Sequence, residues 1–68
     1  MNEKIRAIGI RLLREQEVVR TRQNGLIRHR FGDRITIALN AECAQRDDEI
    51  KAIEATIALL EAVETTED

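Results

Sequence analysis

Few side chains in this 68-residue chain are of the kinds that reactions use, and their spacing limits what they can do. Cys43 and His29 are each the sole residue of their type, so no Cys/His cluster can hold a transition metal and no internal disulfide can form. A nucleophilic cysteine needs a base beside it. Cys43 instead falls on an apolar helical stripe as a small core residue, and His29 lies close to a predicted joint. Asp47, Asp48 and Glu49 form the densest carboxylate run. Consecutive helical residues point about 100° apart, so these three cannot converge on one cation or share one proton, and they read as a solvated acidic face. With Phe31 as its one aromatic residue, the chain offers little to line a pocket for a planar cofactor or a small-molecule substrate. The expectation is a protein without enzymatic activity, cofactor or metal.

Charge speaks to partners. Residues 1–34 hold nine Lys or Arg against four Asp or Glu, and residues 35–68 hold two against nine, so the net −2 is split into a basic half and an acidic half. Lys4, Arg11, Arg14 and Arg22 fall within one face of a predicted first helix, a stripe able to follow a phosphate backbone. The acidic half opposes a polyanion, and stacking on single-stranded bases needs aromatics that the chain lacks. Pairing within the molecule or with a protein partner is the favoured use of these charges.

The elements that must position these residues are helices. Proline is absent, and both halves are rich in Arg, Glu, Leu, Ala and Gln, which lose little on entering a helix. In the second half Leu39, Cys43, Arg46, Ile50, Ile53, Ile57 and Leu60 recur at alternating steps of four and three, the pattern of a coiled-coil seam. In the first half Ile5, Ile8, Leu12, Val19 and Leu26 form a stripe, with Glu15, Arg22 and His29 at its alternate positions. Gly32 can end one helix in the left-handed conformation and Asp33 can cap the next. The spacing predicts an all-α antiparallel hairpin in one domain, with helix 1 over about 2–30, a turn at 31–33 and helix 2 over about 34–64.

A hairpin of this size buries only about 60% of its unfolded surface, so its core calls for completion by homo- or hetero-oligomerisation into a helical bundle. If the turn centres on Gly32, Arg22 faces Glu42 and Glu15 lies within a turn of Arg46, charge pairs that select register and partner. Asp47, Glu54, Glu61 and Asp68 repeat every seven residues as an acidic flank. Two features compete. Asn24-Gly25 is a turn dipeptide inside helix 1, and residues 26–39 alternate around Gly32-Asp33 in a pattern that also fits a β-hairpin.

The helical layout, with Cys43 in a core position and a short polar joint, resembles the Rop-type plasmid regulators, whose paired hairpins bind RNA loops; the basic stripe of Lys4, Arg11, Arg14 and Arg22 would be the RNA contact. The stretch Lys51–Leu60 looks like the second helix of the small co-chaperones of type III secretion needle subunits. Arg34–Leu39 resembles the strand of ribbon-helix-helix DNA-binding repressors. No apolar run is long enough for a membrane span, and the start Met1-Asn2-Glu3-Lys4 lacks the layout of a signal peptide. The composite expectation is a cytoplasmic, non-enzymatic interaction module of bacterial or phage type, acting on a second copy of itself or on a larger protein. RNA is the alternative partner and DNA a weaker one.

Overall fold

The computed structural model describes residues 1–64 and is a helical hairpin, 53 × 14 × 12 Å. Helix α1 spans Glu3–Phe31. It starts where the Asn2 side-chain oxygen accepts the amides of Lys4 at 2.8 Å and Ile5 at 3.2 Å, two of the donors that a helix start leaves unpaired. Arg28, His29 and Arg30 occupy its last turn, where cations complement the exposed carbonyls. It stops at Gly32, whose φ of 50° favours glycine and whose amide donates to the Arg28 carbonyl.

A 3-10 turn over Gly32–Arg34 and two extended residues, Ile35 and Thr36, lead into helix α2, Ile37–Ala62. Thr36 is its cap, accepting the Leu39 amide through Oγ1 at 3.1 Å. The second helix therefore begins three residues later than expected, and Asp33 sits within the 3-10 turn without capping it. No strand forms over residues 26–39, so the β-hairpin alternative and the ribbon expected at Arg34–Leu39 are both overturned. Asn24-Gly25 passes through α1 without a break. Asp68, the last of the expected acidic repeat, lies outside the described residues.

The two helices pack along their lengths. From α2 the seam takes Leu39, Cys43, Arg46, Ile50, Ile53, Ile57 and Leu60, all buried or half-buried. From α1 it takes Arg6, Ile10, Leu13, Glu17, Arg20, Asn24, Ile27 and Phe31, again at alternating steps of four and three. The expected α1 stripe is not in this seam. Ile5 is 64% exposed, Ile8 40%, Leu12 51%, Val19 48% and Leu26 63%, and the stripe lies roughly 130° round the helix from Asn24 at 3.6 residues per turn.

The physical reason is complementarity with α2. The inward face supplies four apolar residues and also the polar groups that α2 needs. Asn24 Nδ2 donates to the Cys43 carbonyl and to Asp47 Oδ1, each at 3.0 Å. Arg20 reaches Glu49 at 3.2 Å, and Arg6 donates to the carbonyls of Glu61 and Val63 at the α2 C-terminus. The more apolar stripe has no such bonds to make.

Candidate interaction surface

The extra length of the connection slides α2 along α1 by about one helical turn relative to a tight Gly32-centred joint. Arg20 thus lies beside Glu49, and a Cβ built on Gly9 would sit 3.8 Å from Leu60 Cδ1. The expected charge pairs do not form for that reason. Arg22 and Glu15 are exposed on the outer face of α1, while Glu42 and Arg46 pair with each other within α2 at 3.8 Å.

One edge of the hairpin carries the acidic flank of α2. Asp47 accepts from Arg28 at 2.7 Å, and Glu61 stands 3.8 Å from Arg14. The hydrogen bond from Arg28 holds the Asp47 carboxyl below its ordinary range, with Asn24 adding a second donor. Glu54 forms no ion pair among the described residues. It shares a hydrogen bond with Glu17 across the seam, and that bond, with burial and the neighbouring negative charge, raises the Glu17 pKa. This edge accordingly uses much of the charge polarity inside the molecule.

The basic candidates divide. Arg14 belongs to that edge, but Lys4, Arg11 and Arg22 are exposed and make no hydrogen bond or ion pair among the described residues. His29 is also exposed. Cys43 is fully buried with a free thiol, on the seam and next to no histidine. Asp48 is exposed, while Asp47 and Glu49 turn to different α1 arginines, so the carboxylate run does not converge. No group of three or more metal-ligating side chains is assembled among the described residues. Among these residues, too, no helix is long and apolar enough to cross a membrane.

What remains is the outer face of α1. Ile5, Ile8, Leu12, Val19 and Leu26 leave a continuous aliphatic stripe in water, interrupted only by Glu15 and Arg22, neither of which has a partner among the described residues. Val18 widens it beside Val19 at 52% exposure. With about half of each side chain exposed, the stripe reaches a few hundred Å², comparable to the largest apolar patch of a soluble monomer. The whole inward row of α1, Arg6 through Phe31, escaped the pattern reading, and Asn24 is its most buried member. Its signal was the same four-three alternation, obscured because half of its eight residues are polar. Comparison with protein-family models, with curated proteins and with solved structures finds no match for this chain.

Proposed function

We propose that this chain is a small non-enzymatic protein–protein interaction module, an adaptor, inhibitor or assembly factor of the cytoplasm, that works by helix packing through the outer face of α1. The observation that supports it most is the aliphatic stripe Ile5, Ile8, Leu12, Val19 and Leu26, exposed while the almost fully buried apolar residues among those described are Cys43 and Ile57. A chain this short has little apolar surface to spare, and covering that stripe completes a bundle that one hairpin leaves half built.

The adjacent leucines 12 and 13 give the test, since Leu12 points outward and Leu13 into the seam. Leu12→Glu should strip the protein from its complexes in an extract of its host cells while the chain remains helical, and Leu13→Glu should unfold the hairpin. If Leu12→Glu leaves every complex intact, the outer face is not the interaction surface. RNA binding is the second reading, favoured by the unpaired Lys4, Arg11 and Arg22. It predicts instead complexes that nuclease destroys and that weaken steeply between low and physiological salt.

A further inference from the structure

Resting on that reading of the outer face, we infer that the stripe is covered by the same stripe of a second copy, running antiparallel about a two-fold axis near the middle of α1. The charges inside the stripe select this partner. In a parallel pairing Glu15 would face Glu15 and Arg22 would face Arg22 within the seam, two like-charge encounters. In the antiparallel pairing that overlaps α1 from Glu3 to Phe31 completely, the seam layers set Ile8 against Leu26 of the second copy and Glu15 against Val19. Arg22 of the second copy then lies one layer from Glu15, within reach of its carboxylate, and symmetry makes the pair twice. Each of these charges lacks a partner within the hairpin.

The flank of the stripe agrees. In this register Arg11 stands opposite Gly25 of the second copy and Lys4 opposite Gly32, so the basic residues beside the seam meet positions without side chains, and no cation opposes another. A Cβ built on Gly25 meets nothing within 4 Å in the hairpin, so packing against α2 gives no reason for a glycine there. Val18 falls beside the axis and faces Val18 of the second copy. Doubling a patch of several hundred Å² brings the buried area toward the roughly 1,200 Å² at which stable interfaces begin.

Cross-linking separates the geometries. In the full chain, Val18→Cys treated with a short bis-maleimide should be converted to covalent dimer, whereas Lys4→Cys, on the same flank but about 40 Å from its symmetry mate at 1.5 Å per residue, should not. The wild-type chain is the control, since Cys43 is fully buried. Glu15→Arg should weaken dimerisation at least ten-fold in sedimentation equilibrium, and Glu15→Arg with Arg22→Glu should recover it. Cross-linking at both positions would mean parallel pairing and overturn the inference. So would a purified wild-type chain that sediments as a folded monomer and gives no more cross-linked product with Cys at 18 than without it. In that last case the interaction-module reading is judged separately, by whether Leu12→Glu still strips complexes from the extract.

Discussion

The two helices meet the same seam with different materials. Helix α2 offers one mainly apolar row, Leu39 through Leu60 with Arg46 in it, and the rest of its surface mixes alanines and acids with Lys51 and the exposed Ile37 and Leu59. Helix α1 has two rows, and the one it turns toward α2 is half polar, with Arg6, Glu17, Arg20 and Asn24 among its eight residues. The difference teaches that apolar content alone does not decide which face of a helix packs inward. An α2 that presents carboxylates at Asp47 and Glu49 and open carbonyls at its end is better met by donors than by a purely aliphatic row, and the aliphatic row is left exposed on the outer face.

Breaking the α2 row should have the largest effect. Ile57 is 5% exposed, and Ile57→Asp buries a carboxylate with no partner at a cost of several kcal/mol, about 3 or more. Far-UV circular dichroism should show loss of the helical hairpin. A cooperative melt unchanged from wild type would mean that α2 packs through a different face.

Breaking the polar side of the α1 row should cost less. Asn24 is 2% exposed and donates to both the Cys43 carbonyl and Asp47, so Asn24→Ala removes two cross-helix hydrogen bonds, at about 1–3 kcal/mol by denaturant titration. If Asn24→Ala is neutral while Asn24→Leu is stabilising, the asparagine serves register rather than stability.

The two carboxylates of the charged edge should show the smallest effects, and with opposite sign. Asp47 has a lowered pKa, so its contribution is present above the ordinary value of 3.8 and fades as pH falls through the lower folded value. Glu17 has a raised pKa, so its hydrogen bond to Glu54 favours the fold below the ordinary value of 4.5 and that help is lost as pH rises through the higher folded value. Glu17→Gln should therefore melt slightly above wild type at pH 7, with the gap closing in acid. Asp47→Asn should melt below wild type at pH 7 and match it once Asp47 is protonated. Both groups are only half-buried and stay in contact with solvent, which keeps these shifts small and salt-sensitive.

Helix α2 and the all-helical hairpin were legible because the heptad row from Leu39 to Leu60, dense in aliphatics from Ile50 onward, is the strongest periodicity in the chain. The inward face of α1 was not, since Ile5, Ile8, Leu12, Val19 and Leu26 make the stronger pattern and the choice between rows depends on what α2 presents across the seam. The charge register was lost at the joint. Thr36 outcompetes Asp33 as the cap, and the two extended residues before α2 shift every cross-helix pair by about one turn. Single-chain periodicity cannot fix either quantity, because both are set by contacts between elements.

That the outer stripe of α1 is an association surface is tested most directly by the concentration dependence of thermal melting. A protein stabilised by association has a Tm that rises with its own concentration. The wild-type chain, melted over a hundred-fold range of concentration, should show that rise, and Leu12→Glu should melt at one temperature throughout. A wild-type Tm that does not move with concentration, or a Leu12→Glu chain that keeps the full slope, would contradict self-association through this face.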